Sequence, residues 1–167
     1  MAMNTRTLSL LALLVTVMLI ANCGYSVHRK ADLPFTEIMI GKIENKTLEP
    51  KLQDKLHLAL TEEFEKNGIA VTPGAKNRIT GVIRNIDMIS LSEKNDTTVE
   101  YRIIVTADFT FHDAGGAVKE IKKVGSPFIV SFSGSQDMGN LLANRDQAER
   151  KAMADVAMEV VGELIYP

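Results

Sequence analysis

Residues 97–112 alternate almost strictly between apolar and polar side chains, and this pattern constrains the fold more than any other part of the sequence. The apolar positions are Val99, Tyr101, Ile103, Val105, Ala107, Phe109 and Phe111, and the polar positions are Glu100, Arg102, Thr106, Asp108, Thr110 and His112. Successive side chains of a strand point to opposite faces of its sheet. We therefore predict one long strand with one face in the core and the other in water, as in an antiparallel sheet.

The flanking segments predict the partners of this strand. Asp113-Ala114-Gly115-Gly116 has the composition of a hairpin turn, and Ala117–Phe132 returns as a strand that is interrupted at Gly125-Ser126-Pro127. Before the long strand, Arg78–Leu91 is rich in aliphatic residues without strict alternation, which indicates a strand with a bulge or strong twist. A polar turn over Ser92–Asp96 would connect the two.

A strand, helix, strand unit is predicted closer to the amino terminus. Phe35–Ile43 alternates like a half-buried strand, and Ile69–Thr72 is a second, brief strand. Between them, Lys51–Asn67 has apolar residues at helical spacing, and Gly68 is placed to end that helix.

Two helix starts can be proposed from the sequence. Thr47 and Glu49 are both possible caps of the first helix, and Pro50 suits its first turn. After a loop over 133–140, Asn144 is a possible cap for a final helix that runs to about Ile165. Together these segments predict an α+β fold: two helices packed on a mixed, mostly antiparallel four- to five-stranded sheet, as a two-layer sandwich.

An apolar run, Leu8–Ile20, ends shortly before Cys23, the only cysteine. With Arg6 ahead of it, the run has the form of a secretory signal and is too short to span a bilayer. Small and aliphatic residues before a lone cysteine favour a lipoprotein signal, in which the thiol of Cys23 is lipidated, although Asn22 stands where Gly, Ala or Ser is usual. The alternatives are an ordinary signal peptide followed by a free thiol, or a short amphipathic anchor.

This interpretation divides the chain into a signal peptide (1–22), a lipidated amino terminus and tether (23–34) and a single domain (35–167). The 145 residues that remain after cleavage are enough for one core. The formal net charge is −2, and loss of Arg6 with the signal makes it −3. An acidic balance argues against binding to nucleic acid, which needs a basic footprint.

No pattern of catalytic or metal-binding residues stands out. The histidines are His28, His57 and His112, and none has the spacing of a metal ligand. Asp54 and His57 could share a helical face, where we expect a solvated pair. The serines at 131, 133 and 135 lack the glycines of a nucleophile elbow. We expect no enzyme activity, no metal and no cofactor.

A group of cations follows the predicted hairpin. Lys119, Lys122 and Lys123 lie just after the turn, opposite a strand that carries Arg102 and near a turn that carries Lys94. Such cations could bind phosphorylated sugars. The alternative is that lysines on an exposed strand prevent edge-to-edge sheet pairing.

The order of these elements resembles the LPS-assembly lipoprotein family of the LptE type. The resemblance is carried by Cys23-Gly24-Tyr25, by the turn Asn45-Lys46-Thr47-Leu48-Glu49-Pro50, and by the layout of the domain. It implies a non-enzymatic outer-membrane lipoprotein that plugs and helps assemble an LptD-type β-barrel and assists lipopolysaccharide insertion at the cell surface. The absence of Asp at Gly24 agrees with outer-membrane sorting of known lipoproteins.

With this resemblance, lipid A is the phosphorylated ligand expected for Arg102, Lys119, Lys122 and Lys123. The turn with its Asn-x-Thr also resembles the entry unit of other envelope lipoproteins. An activator of a peptidoglycan synthase, or an accessory subunit of another envelope machine, is therefore the alternative function.

Overall fold

The computed structural model describes residues 33–94, 97–125, 130–133 and 137–166. They form two helices packed on one mixed sheet, which confirms the predicted α+β class. The elements in chain order are β1 (Glu37–Asn45), α1 (Leu52–Lys66), β2 (Ala70–Val71), β3 (Arg78–Lys94), β4 (Thr97–His112), β5 (Val118–Gly125), β6 (Val130–Ser133) and α2 (Met138–Ile165).

The sheet has the strand order β2-β1-β3-β4-β5, and β6 also pairs with β4. β1 is parallel to both β2 and β3, whereas β3, β4, β5 and β6 are paired antiparallel. β5 pairs with residues Thr106–His112 of β4, and β6 pairs with Glu100–Ile103 farther along the same edge. The sheet is therefore five strands wide, and its edge strand is split into two segments where the sequence predicted an interruption.

β3 and β4 form the long antiparallel ribbon around which the domain is built. The register between them shifts after Ile83 and again after Ser90, so the bulged strand predicted from the sequence is confirmed. Strand pairing continues to Lys94 and Thr97, so the connecting turn is shorter than the predicted Ser92–Asp96. Along β4, every second residue from Ile103 to Phe111 is buried, which confirms the predicted faces.

Both helices bury one stripe against the same face of the sheet. α1 contributes Leu52, Leu56, Ala59, Leu60 and Phe64, and α2 contributes a stripe that includes Ala152, Val156 and Val160. Gly81 in β3 lies opposite Phe109 in β4, and a Cβ atom on Gly81 would come within 2.9 Å of the Phe109 ring. The absence of a side chain at Gly81 thus leaves the room that the ring of Phe109 occupies in the core.

The end of α1 is as predicted, but its start is not. Gly68 has a positive φ of 84°, and the N–H groups of Gly68 and Ile69 donate to the carbonyls of Glu65 and Phe64, which is the Schellman motif. At the start, the N-cap is Lys51, with no side-chain cap hydrogen bond. The proposal that Thr47 or Glu49 caps the helix was therefore wrong.

The last helix starts earlier than predicted. α2 begins at Met138, where the Asp137 side chain accepts a hydrogen bond from the N–H of Gly139 at 3.0 Å. Asn144 consequently lies inside the helix, and its assignment as the cap was wrong. In these additional turns Met138 and Leu142 are exposed to solvent. The first turns of α2 therefore lack a stripe of buried apolar residues, and hydrophobic periodicity did not reveal them.

Candidate functional site

The structure separates Arg102 from the lysines that the sequence grouped with it. Lys119 lies opposite Phe111 of β4, whereas Arg102 lies nine residues away along β4, between Ile89 and Ser131 of the neighbouring strands. At about 3.4 Å per residue, this separation is about 30 Å. The four predicted ligand residues therefore do not form one surface.

The lysines themselves are divided between the two faces of the sheet. Lys119 lies on the helix side, where its Nζ donates to the backbone carbonyl of Glu163 at 3.0 Å and lies 3.3 Å from the carboxylate of that residue. Lys122 lies on the opposite face, where its Nζ pairs with Glu120 at 2.6 Å. The hydrogen bond to Glu120 holds the pKa of the Lys122 ammonium above its usual value. Both lysines are thus already neutralised by carboxylates of this chain.

Lys123 occupies a bulge in β5 that Asp108 stabilises. Its φ is 60°, its N–H donates to Asp108 Oδ1 at 2.9 Å, and the register between β4 and β5 shifts at this point. Asp108 Oδ2 accepts from Arg84 Nε at 2.7 Å. The hydrogen bond from the Lys123 backbone is the largest effect on the Asp108 carboxyl, and together with the bond and charge of Arg84 it outweighs burial and holds the pKa of Asp108 below its usual range. A small cavity of about 130 Å³ adjoins these groups on the outer face of the sheet.

A second candidate region is the turn between β1 and α1. Asn45 Oδ1 accepts from the N–H and the hydroxyl of Thr47, at 3.0 and 2.8 Å, and Asn45 Nδ2 donates to the carbonyl of Glu49 at 2.6 Å. The hydroxyl of Thr47 in turn accepts from the N–H of Glu49. These bonds fix a rigid turn whose apex, Leu48, is fully exposed. The Thr47 hydroxyl is used inside the turn, which explains why it does not cap α1.

Ion pairs join this turn to both helices. Arg145 in α2 contacts Glu49 in the turn, and its Nε donates to Glu149 at 2.9 Å. Lys55 in α1 donates to both Glu149 and Asp146, each at 2.6 Å. Glu149 is almost fully buried, with 3% of its surface exposed, and two cations of this chain hold it.

The protonation of this network follows from its geometry. Burial would lower the pKa of the Lys55 ammonium, but the hydrogen bonds to Asp146 and Glu149 together outweigh burial and raise it above its usual value. The hydrogen bond from Lys55, with the nearby charge of Arg150, holds the pKa of the Asp146 carboxyl below its usual range, against a smaller opposing effect of burial. Lys55 and Asp146 are therefore both charged near neutral pH.

This network was not predicted from the sequence, although one signal of it is present there. Arg145 and Glu149 have the four-residue spacing of a helical ion pair, and Glu149 directly follows the buried Ala148. A carboxylate next to a buried stripe indicates a paired, buried charge. The contacts with Glu49 and Lys55 depend on the tertiary fold and have no local signal.

The remaining predicted residues fall outside any cluster. His57, Asp54 and His112 are exposed, and within the described parts of the chain no three His, Cys, Asp or Glu side chains are arranged to hold a metal ion. Ser131 and Ser133 belong to β6, whereas Cys23, His28 and Ser135 lie outside the described residues. Among the helices of the described segments, none is both long and apolar enough to cross a membrane.

Comparison with known proteins gives one family match and several structural matches. The family model described as lipopolysaccharide-assembly, LptE, matches residues 35–163. A crystal structure of rare lipoprotein B from Shewanella oneidensis matches with a TM-score of 0.52 and 10% identity, over 75% of this chain and 92% of that one. A putative lipoprotein from Caulobacter crescentus matches with a TM-score of 0.50 and 14% identity, over 73% of this chain and 86% of that one. No curated protein sequence matches. At these identities the structural matches establish a shared fold alone.

Proposed function

The chain belongs to the LptE family of lipopolysaccharide-assembly proteins, and from this premise we propose that it is a non-enzymatic outer-membrane lipoprotein that plugs and helps assemble an LptD-type β-barrel and assists lipopolysaccharide insertion. The observation that carries the proposal is the extent of the family match, which spans residues 35–163 and so almost the whole folded domain. Lipidation at Cys23 would hold the protein at the membrane into which the barrel is inserted.

The two faces of the sheet agree with a role inside a barrel. The helices cover one face, and the other carries polar residues such as Thr106, Asp108, Thr110 and Arg84. The lumen of an outer-membrane barrel is polar, so a protein that fills it needs no large apolar contact surface. A sheet with one polar face meets this requirement without exposing its core.

Co-purification from native membranes tests the proposal. The full-length chain, tagged at its carboxyl terminus, is expected to bring down a large outer-membrane β-barrel of the LptD type after mild detergent extraction. Recovery of a peptidoglycan synthase or of another envelope machine in place of the barrel would contradict the proposal and support the alternative function.

Replacement of the lone cysteine tests the anchor. Cys23→Ala is expected to leave the domain folded and to release it from the membrane, because the anchor is covalent and two or three acyl chains bind a bilayer far more strongly than one. Fractionation measures the release, and mass spectrometry of the wild-type amino terminus measures acylation. A wild-type amino terminus without acyl chains would contradict lipidation, whereas an acylated wild type with a membrane-bound variant would show that the barrel alone retains the protein.

We further propose that Lys122 and Lys123, with Lys119 on the opposite face of the sheet and Arg102 as a separate contact, bind the phosphates of lipid A, which would replace the carboxylates that pair with Lys119 and Lys122. The double change Lys122→Glu/Lys123→Glu is expected to weaken binding of purified lipopolysaccharide, and more so at low salt, because exposed charges are screened beyond about 10 Å at 0.1 M. Stability should change by under about 0.5 kcal/mol, since neither side chain is in the core.

A charge-matched control separates this site from general electrostatics. Lys66→Glu/Lys76→Glu makes the same change in net charge at two other exposed positions and should leave binding unchanged. A titration in which both double variants behave alike, or in which the first overlays the wild type at low salt, removes these lysines from the binding surface and favours edge protection.

A further inference from the structure

Leu48 is an apolar side chain held in full contact with solvent by a rigid turn. A leucine on a mobile loop can turn toward the protein surface, but the Asn45 and Thr47 hydrogen bonds fix this turn on both sides of the apex. The Lys46 N–H also donates to the carbonyl of Ile83 in β3 at 3.0 Å, which ties the turn to the sheet. The turn therefore holds Leu48 outward, and binding of a partner needs little further ordering of the backbone there.

Two depressions flank this apex and share three residues. One, of about 750 Å³, is lined by the turn itself, and the other, of about 300 Å³, lies between the turn and the first turns of α2. Glu49, Pro50 and Lys51 line both. Leu142, which is also exposed, lines the second depression. The surface is thus a projecting leucine between two hollows, a shape that fits a folded protein surface with matching relief.

The charges around Leu48 indicate the sign of the charge that the partner surface carries. The carboxylates that line the two depressions are held by cations of this chain: Glu44 by Lys42, Glu49 and Glu149 by Arg145, and Asp146 by Lys55. Lys46 and Lys51 line the surface without an ion pair to any residue that the structure describes. The surface therefore has an apolar centre at Leu48 and a positively charged rim formed by Lys46 and Lys51.

We propose that this surface, formed by Leu48, Pro50 and Leu142 with Lys46 and Lys51, docks onto a protein partner that offers an apolar socket bordered by carboxylates. The inference rests on the proposed function, so the partner is the wall or a loop of the β-barrel. A membrane surface fits less well, because insertion into lipid requires a broad apolar face, whereas here Leu48 projects between two concave hollows that are lined by charged as well as apolar residues.

The test compares two exposed leucines in the full-length, lipidated protein. Leu48→Asp is expected to lower the yield of co-purified barrel about tenfold or more, as for a residue at the centre of an interface. Leu58→Asp is the control, because Leu58 is 53% exposed on α1 and lies outside the turn. The control should retain wild-type recovery of the barrel, and both variants should melt within a few degrees of the wild type.

Lys51 permits a second change that does not threaten the fold. Its φ is 64°, a left-handed conformation that glycine adopts without the strain imposed by a side chain. Lys51→Gly should therefore keep or raise the melting temperature while it lowers barrel recovery several-fold. A photo-crosslinking residue at position 48 should form an adduct with the barrel, and one at position 58 should not.

The outcomes distinguish this inference from the proposed function. Failure of the wild type to recover the barrel contradicts both. Recovery of the barrel by the wild type and equally by Leu48→Asp leaves the proposed function standing and overturns the docking surface. An adduct at position 48 with lipopolysaccharide or phospholipid in place of the barrel likewise overturns it and assigns the surface to lipid.

Discussion

Val105→Asp is expected to be strongly destabilising and to lower the urea midpoint of unfolding substantially. Val105 is completely buried in the middle of β4, between the ribbon partner β3 and the helices. The change removes about 1.5–3 kcal/mol of apolar burial and places a carboxyl group where the core provides no cation, at a total cost of about 4 kcal/mol or more. Total stabilities of natural domains are about 5–15 kcal/mol, so the change would remove a large share of the stability of the domain.

The neighbouring position provides the control for this change. Thr106 is partly exposed on the other face of β4, where a carboxylate keeps its water. Thr106→Asp should cost about 1 kcal/mol or less, which reflects the poor strand propensity of Asp. Urea unfolding measures both. Equal costs at positions 105 and 106 would show that burial on the two faces of β4 differs from the structure.

The fold was predictable because strand and helix periods are repeated many times in this sequence. Successive residues of β4 alternate between its two faces from Thr97 to His112, so one residue that departs from the alternation does not change the prediction. The split of the edge strand into β5 and β6 was also marked locally, by the glycine and proline that interrupt the alternation. Patterns of this kind depend on local chemistry alone.

The helix starts were less predictable because several residues compete for the same position. Asp137 and Asn144 both have suitable cap side chains, and the residues between them form helix without a buried stripe. Thr47 had the chemistry of a cap, but Asn45 binds its hydroxyl within the turn. Which bond forms depends on the position of the turn against β3, and the sequence does not show this.

The positions of the proposed ligand residues also depend on tertiary structure that the sequence does not show. Lys119, Lys122 and Lys123 are close in sequence, but the bulge at Lys123 and the pairing of β5 determine the face on which each lies. The distance of Arg102 from them depends on the register of β4, which no single side chain specifies. The four cations that the sequence grouped together therefore lie at separate positions on the sheet.

Among changes outside the sheet, the largest loss of folding stability is expected when both cations that pair with Glu149 are removed. Lys55→Met/Arg145→Met replaces the two cations with apolar side chains of similar length and leaves a buried carboxylate unpaired. Breaking a buried ion pair in this way costs about 3–5 kcal/mol. Glu49 and Asp146, the other partners, are partly exposed and can regain water, so the cost arises at Glu149.

A third substitution tests this cause directly. Adding Glu149→Met removes the unpaired charge and should recover most of the loss, because an apolar replacement of a whole buried network is often neutral. Urea unfolding of the double and triple variants gives the two values. A triple variant no more stable than the double would show that the cost lies in lost packing of the long side chains and not in the buried charge.

Acid should narrow the difference in unfolding free energy between the wild type and the double variant. The lowered pKa of Asp146 contributes stability to the wild type above the ordinary carboxyl pKa of about 3.9, and this contribution is lost as the pH falls through the folded value. In the double variant Lys55 is absent, so Asp146 makes a smaller contribution of this kind and less stability is lost over the same fall in pH. If the difference in unfolding free energy stayed constant as the pH falls from neutral to well below about 3.9, the hydrogen bond from Lys55 would not stabilise the charged form of Asp146, and this part of the network would contribute through packing alone.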